Sequence, residues 1–374
     1  MDSASFFNEL RQQFDKKLPF VVYSRPINSV IKCWMQRDDQ LHVTKTYSES
    51  GFVFAPFNSD DDTIVFPEDE CAHKILEVET PLDLKPDKTF LSDVSKDSSK
   101  EVHLELLEKA IRTINAKTID KVVLSRVEKR SLTEVDPIEI FKRLYDTYKN
   151  AMVYCWYHPK VGLWLGATPE LLFKVVGRQL TTISLAGTQA DRGEEQVKWS
   201  SKEIEEQQIV TDFISHQIRN HTSDISISPV ETVKAGSLLH LKTRIISTIR
   251  KESNLKEVID ALHPTPAVCG FPKKNAKDFI LKHENYNRTY YTGFLGELNL
   301  KHSKTRNSNR RNVENNAYLS IKRISNFYVN LRCTQIRDGK AYIYVGGGIT
   351  KDSIPSKEWE ETVNKTKTIV NVLR

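Results

Sequence analysis

Two short stretches decide how this chain can pair with itself. In "LLFKVVGRQLTTISL" (171–185) and "LRCTQIRDGKAYIYV" (331–345), two β-forming runs flank a two-residue break: Gly177-Arg178 in the first, Asp338-Gly339 in the second. Such pairs suit the primed turns whose twist matches that of the flanking strands. Hairpins pair strands antiparallel, and no alternating β-α-β rhythm accompanies them. The pattern predicts an α+β fold, not a doubly wound nucleotide fold. Further short runs, "PFVVYS", "SVIKCW", "LHVTKTY", "GFVFAPF" and "TIVF", are separated by Asn, Asp, Gly and Pro, and predict an antiparallel meander in the first third.

Helical periodicity predicts helices over 4–17 (Phe6, Phe7, Leu10 and Phe14 on one side), 101–116, 137–149, 199–220 and 356–371. Strands are predicted at 120–127, 152–157, 170–176 and 179–186. The polar stretch 79–100 reads as a connection, which divides the chain into a variable, sheet-rich part (1–95) packed on the same fold and a larger unit (96–374).

Composition narrows the class. With 374 residues, 39% hydrophobic and 28% charged, the chain can bury a sizeable core. The formal charge of +6 is mild and suits a small anionic ligand without requiring nucleic acid. The basic stretch 301–316 has no interleaved aromatic residues and reads as a solvated loop. No apolar run is long enough to span a bilayer. The first residues carry Asp2 and Glu9 and no continuous apolar stretch, unlike a signal peptide. Five cysteines (Cys33, Cys71, Cys155, Cys269 and Cys333) form no CxxC pair, which favours reduced thiols and a cytoplasmic setting.

The chemistry-bearing residues are individually ambiguous. "YVGGGITKDSIPSKEWEET" (344–362) has three consecutive glycines but neither Walker nor GxGxxG spacing. Its ordinary reading is a sharp turn after a strand. The functional one is a backbone whose N–H groups face an anion. A helix starting near Pro355 puts Glu358 and Glu361 on one face, with Lys365 a turn further on. In "SSKEIEEQQIVTDFISHQI", Ile209, Val210, Phe213, Ile214 and Ile218 form the predicted buried side, with Glu206 at its border. Acids from two helices could share a hard cation through oxygen ligands. Lys121, in "DKVVLSR", is either a wet strand-end lysine or a base. Glu170, in "GATPELLFK", is either a solvated carboxylate or a shielded acid. His240, between leucines, reads by default as a structural histidine.

The order of the motifs is more specific than any of them alone. "KVVLSR", "GATPELLFK", "SLAGTQ", "SKEIEEQQIVTDFI", "LLHLKTRI", "ALHPTPAVCGFPK", "NRTYYTGFLGELN", "NLRCTQI" and "YVGGGITKDSIPSKEWEETVNKTK" resemble, in sequence and order, those of the chorismate-utilising enzymes, and among these the isochorismate synthases. The resemblance is strong over about 100–374 and holds only in outline before that, notably at "GFVFAPF". It implies two layers of mostly antiparallel sheet flanked by helices, with the site between them.

The resemblance also implies roles. Glu206 and Glu361, with Glu358 directly or through water, would hold Mg2+ against the ring carboxylate of chorismate. Arg332, Gly346, Tyr291 and Lys365 would hold the pyruvyl carboxylate, and Gly187 would line the floor. Lys121 would deprotonate the water added at C2, helped by the absence of an anion beside it. Glu170 would protonate the departing C4 hydroxyl, and His240 would orient the substrate. Ammonia-using relatives generally lack a lysine at position 121, and Ala186 stands where aminodeoxychorismate synthases carry a nucleophilic lysine. Water addition by a monomer or homodimer without an amidotransferase subunit is therefore implied. Ala267 stands where salicylate synthases, which go on to eliminate pyruvate, tend to carry threonine. A salicylate synthase and an inactive chorismate-binding relative remain the alternatives. Two departures fall beside functional positions: Gln207 where histidine is frequent, and Thr289 where glycine is usual.

Overall fold

The computed structural model describes residues 2–84, 91–92, 99–133, 135–190, 193, 197–235, 238–303 and 321–373. Two ten-stranded sheets with antiparallel pairings make up the frame. In the first, the spatial order is Gly270–Phe271, Lys121–Leu132, Lys340–Ile349, Cys333–Arg337, Gly162–Thr168, Met152–His158, Phe20–Ser24, Val30–Gln36 and Cys71–Glu77, with Leu91–Ser92 beside Lys121–Leu132. In the second it is Thr222–Ile227, Leu238–Ile249, Gln179–Ala190, Leu171–Val176, Ile321–Val329, Phe294–Ser303, Gly51–Ala55, Thr63–Pro67 and Val43–Thr44, with Glu231–Ala235 beside Leu238–Ile249. The N-terminal strands are woven into both sheets: Phe20–Ser24 pairs with Met152–His158, and Gly51–Ala55 with Phe294–Ser303.

Both expected hairpins form. Val176 pairs with Gln179 across Gly177-Arg178, and Arg337 with Lys340 across Asp338-Gly339. Asp338 and Gly339 both have positive φ (50° and 65°), the requirement of a type I′ turn.

Strand alternation explains the layering. Val21 and Tyr23, Phe52 and Phe54, and Tyr154 and Trp156 point into one aromatic core shared by the two sheets. Their neighbours Phe20, Val22, Val153 and Cys155 pack on the outer face of the first sheet, and Val53 and Ala55 on that of the second. Strands buried on both faces read as continuous apolar runs. In the shared core Phe54 and Phe66 both stack on Trp156, at centroid distances of 4.7 and 5.2 Å. Each such pair contributes about 0.5–1.5 kcal/mol beyond its buried area.

Seven helices are described: α1 (Ser3–Asp15), α2 (Ser99–Asn115), α3 (Pro137–Thr147), α4 (Ser201–Ile218), α5 (Leu255–Leu262), α6 (Lys273–His283) and α7 (Pro355–Val370). α4 keeps its expected buried side at Phe213, Ile214 and Ile218, with Ile209 the exception. Gln207, Thr211, Phe213, Ile214 and Ile218 are buried, whereas Ile209 is 55% exposed. The polar members of this face bind the sheet: Thr211 Oγ1 bonds to Ser184 Oγ at 3.0 Å. α5, not expected, is short and closed by an Asn254–Glu257 capping box. Beyond Ser303, most of the basic stretch 301–316 lies outside the described residues. All five cysteines are free and buried. Among the described residues, no helix is long and apolar enough to cross a membrane.

A buried ion pair fastens the strand that begins at Lys121. Arg288 donates to both oxygens of Glu284 (2.7 and 2.6 Å) and to the Val123 carbonyl (2.7 Å), while Glu284 accepts from the Ser125 N–H (2.8 Å). Arg288→Met keeps volume but leaves Glu284 buried without its cation. The expected loss is about 3–5 kcal/mol, read from urea denaturation, and a loss too small to resolve would contradict the role given to this pair. Next to it, Thr289 has φ +48°, a left-handed conformation that a β-branched residue resists. Thr289→Gly should therefore raise stability by about 1 kcal/mol, glycine's entropic cost subtracted; an unchanged denaturation midpoint would show that the surroundings relieve the strain.

Candidate active site

The glycine triplet is neither a turn nor a loop. Gly346, Gly347 and Gly348 lie inside the Lys340–Ile349 strand, opposite Ser125, Leu124 and Val123. The triplet is explained by room. A Cβ on Gly346 would sit 2.7 Å from the Leu124 carbonyl oxygen and 3.0 Å from the Tyr291 hydroxyl. A Cβ on Gly348 would sit 3.1 Å from Lys121 Cε. At Gly347 the missing Cβ leaves space 3.6 Å from Glu358 Oε2 and 3.9 Å from Glu361 Oε1. The strand is a bare floor, with an amine, two carboxylates and a phenol around it.

α7 supplies the carboxylates. Pro355 occupies its first turn, where a missing N–H costs nothing, and Glu358 and Glu361 follow on one face. Lys365, one turn on, reaches Glu361 Oε1 at 2.6 Å and donates to the Gly346 carbonyl at 2.9 Å. Burial, then the neighbouring Glu361 anion, raise the Glu358 carboxyl against a Ser353 hydrogen bond and the Lys365 charge. Arg332, held at φ +49°, donates from Nη1 to Thr368 Oγ1 at 3.3 Å. Tyr291 is buried and stacked on Tyr344 at 5.4 Å.

The second sheet contributes the opposite wall. α4 packs on its Gln179–Ala190 and Leu238–Ile249 strands. Between these strands the register shifts at Gly187, whose φ of +69° is that of a bulge glycine. A Cβ there would lie 3.2 Å from both Cβ and O of Glu203, so the first turn of α4 rests on this glycine. His240 Nδ1 lies 3.3 Å from the Gly187 carbonyl, which can only accept and so makes Nδ1 the donor. The default reading of His240 as a buried residue does not hold; it is partly exposed. Gln207 is buried and donates to Ser184 O, Ser184 Oγ and Thr243 Oγ1 at 3.0–3.2 Å, fixing the helix beside Glu206.

Lys121 does have an anion beside it. Its Nζ lies 3.8 Å from Glu206 Oε1, a contact that joins the two layers. Glu206 is nearly half exposed, not at the edge of the core. Glu170 stands just before the Leu171–Val176 strand, its carbonyl accepting from the Val329 N–H at 2.9 Å. The residue as a whole is partly exposed, but burial pushes its carboxyl up to about 7 against the pull of Lys121, Arg332 and Lys365. Ala267 is exposed on a turn three residues before the strand that pairs with Lys121.

Sequence reasoning missed Gly270, Ser125, Glu284 and Arg288. A Cβ on Gly270 would lie 2.2 Å from the Lys121 carbonyl oxygen. The i,i+4 spacing of Glu284 and Arg288 was the available signal for the buried pair. Three surface hollows of about 290–380 Å³ lie elsewhere on the described residues.

The donor set suits a hard cation in kind, since oxygens of Glu358 and Glu361 converge on the space over Gly347. Glu206 is the third candidate but faces Lys121 here. Among the described residues no three His, Cys, Asp or Glu side chains converge closely enough to hold a metal.

Fold and site together define a two-layer α+β protein with lysine, arginine and glutamate side chains gathered between the layers. The family described as chorismate binding enzyme matches residues 39–304 and again 317–371. This chain belongs to the chorismate-binding enzymes. It is 27% identical over 303 residues to the isochorismate synthase MenF of Pasteurella multocida, covering 77% of this chain and 64% of that protein. It is 28% identical over 265 residues to the salicylate biosynthesis isochorismate synthase of Pseudomonas aeruginosa, covering 68% and 51%. The matched part thus spans between half and two thirds of these relatives. In fold it is similar to MenF, the menaquinone-specific isochorismate synthase from Escherichia coli, with a TM-score of 0.76 and 20% identity over 95% of this chain and 89% of that one.

A carboxyl raised to about 7 in the folded protein and ordinary when unfolded binds more protons folded between those limits. Its contribution to stability is complete below the unfolded value and is lost as pH rises through about 7. Glu170→Gln removes that contribution. Urea midpoints taken at pH 5 and pH 8 should therefore differ less in the variant than in the parent; an equal difference would mean that Glu170 ionises normally.

Proposed function

We propose that this protein is an isochorismate synthase, which adds water at C2 of chorismate with loss of the C4 hydroxyl. The observation that carries the reading is Glu170, a carboxyl raised to about 7 in a cleft that also holds the amine of Lys121. An acid that keeps its proton near neutrality and an amine able to take one are the two groups the reaction needs.

The roles follow from position. Lys365, Arg332 and the Tyr291 hydroxyl, gathered where Gly346 leaves room, bind the pyruvyl carboxylate. Glu358 and Glu361, with Glu206, would hold Mg2+, which when bound neutralises the ring carboxylate. Lys121 takes a proton from the attacking water as its oxygen bonds to C2. The two conjugated ring double bonds shift together, C1=C2 to C6=C1 and C5=C6 to C4=C5, the C4–O bond breaks, and Glu170 gives its proton to the departing hydroxyl. One water enters and one leaves, so the product is an isomer. His240, oriented by the Gly187 carbonyl, positions the ring. Water is the nucleophile, so no ammonia-delivering partner is required.

Purified protein with chorismate and Mg2+ should give isochorismate, resolved by chromatography. Lys121→Ala and Glu170→Gln should each lower kcat by about 10²–10⁴-fold, and kcat should fall as pH rises above about 7, where Glu170 loses its proton. Salicylate with pyruvate would assign the protein to the lyases of its family. Full turnover by Lys121→Ala would remove that residue from the mechanism, and binding without conversion would leave a chorismate-binding protein that is not an enzyme.

A further inference from the structure

We propose that a cavity at the far end of the same strands is a binding site for a small phosphorylated anion. The hollow encloses about 310 Å³ at the Gly177-Arg178 turn, and Arg178, Arg250, Lys251 and Arg323 line it. No carboxylate lies on its wall among the described residues. Glu252 falls between lining residues in sequence without lining the cavity. Glu257, in the first turn of α5, is turned to the Asn254 N–H and to His221. Four cations around one hollow repel one another, and an anion relieves the repulsion.

The geometry is that of a receptor for oxygen anions. The Arg178 guanidinium donates to the Ile249 carbonyl, and that of Arg250 to the carbonyls of Thr222 (3.0 Å) and Arg219 (3.4 Å). Carbonyls fix the orientation of these groups without cancelling their charge. Guanidiniums so held present paired N–H donors that match phosphoryl oxygens. The residues leading into α5 complete the wall at Ser253 and Leu255. The lining includes no aromatic ring on which a base could stack, which favours a compact phosphate ester over a nucleic acid.

The cavity is distinct from the candidate active site. Arg178 and Gly187 are nine residue steps apart along an extended strand, about 30 Å at 3.3 Å per residue. A small ligand cannot touch both.

Inorganic pyrophosphate is the probe, titrated calorimetrically into the full chain at constant ionic strength, with sulfate as the comparison anion. Binding tighter for pyrophosphate than for sulfate is expected. The surface double variant Lys251→Gln/Arg323→Gln should weaken it about tenfold or more, as should Arg178→Gln, while Lys365→Gln leaves it unchanged. The double variant replaces exposed side chains only, and circular dichroism checks its fold. Absence of binding at millimolar pyrophosphate overturns the proposal. So does affinity unchanged in the double variant, or affinity lost in Lys365→Gln, which would locate the anion in the chorismate cleft.

Discussion

The contact on which the site depends is the pairing of the Lys121–Leu132 strand with the Lys340–Ile349 strand. The two segments are more than two hundred residues apart in sequence. Once paired, they set Lys121 against Gly348 and leave Gly347 under the carboxylates of α7. Lys365 then reaches the Gly346 carbonyl. Side chains at the three glycines would close the floor, so the pairing and the cleft impose the same requirement on the sequence. The Glu284–Arg288 pair serves this arrangement, because its hydrogen bonds end on the backbone of Val123 and Ser125.

The second layer is placed by a different device. α4 is amphipathic in an unusual sense: the face it turns to the sheet is partly polar. Gln207 and Thr211 make directional bonds to Ser184 and Thr243, where an all-apolar face could slide. Gly187 lets the first turn of the helix come down onto the strand. Glu206 is thus carried on a helix whose rotation and height are both fixed, and its contact with Lys121 bridges the two sheets.

These long-range facts mark the limit of what sequence could reveal. The α+β class followed from two turn dipeptides, and the helices now labelled α1 to α4 and α7 from apolar periodicity, because both signals are local. On α4 Phe213, Ile214 and Ile218 are buried as expected, but Ile209 was counted as buried on hydrophobicity alone, whereas the sheet beneath selects the hydrogen-bonding Gln207 and Thr211. The triplet Gly346–Gly348 was read as a turn because glycine usually means backbone freedom; here it means missing side-chain volume, which only the partner strand discloses. The Lys121–Glu206 contact had no local signature. Candidate site residues were found instead through the order of motifs, and contacts in the structure link Lys121, Glu170, Glu206, Glu358, Glu361 and Lys365 around the glycine strand.

Charge balance links this neighbourhood to the reaction proposed for it. By formal charge Lys121, Arg332 and Lys365 are three cations, and Glu206, Glu358 and Glu361 three anions, with Glu170 left out of the count because burial raises its carboxyl to about 7. These six charges cancel, and two of the ion pairs among them, Lys121–Glu206 and Lys365–Glu361, are internal. A dicarboxylate alone would add two negative charges to a partly desolvated site, and a dication alone two positive ones. Entering together they leave the total unchanged, while each gives the internal pairs a new partner: the substrate carboxylates for the lysine and arginine, the cation for the glutamates. On this reading the metal and the substrate bind with positive coupling, and the glutamates that pair with lysines in the free protein are those that change partner when both are present.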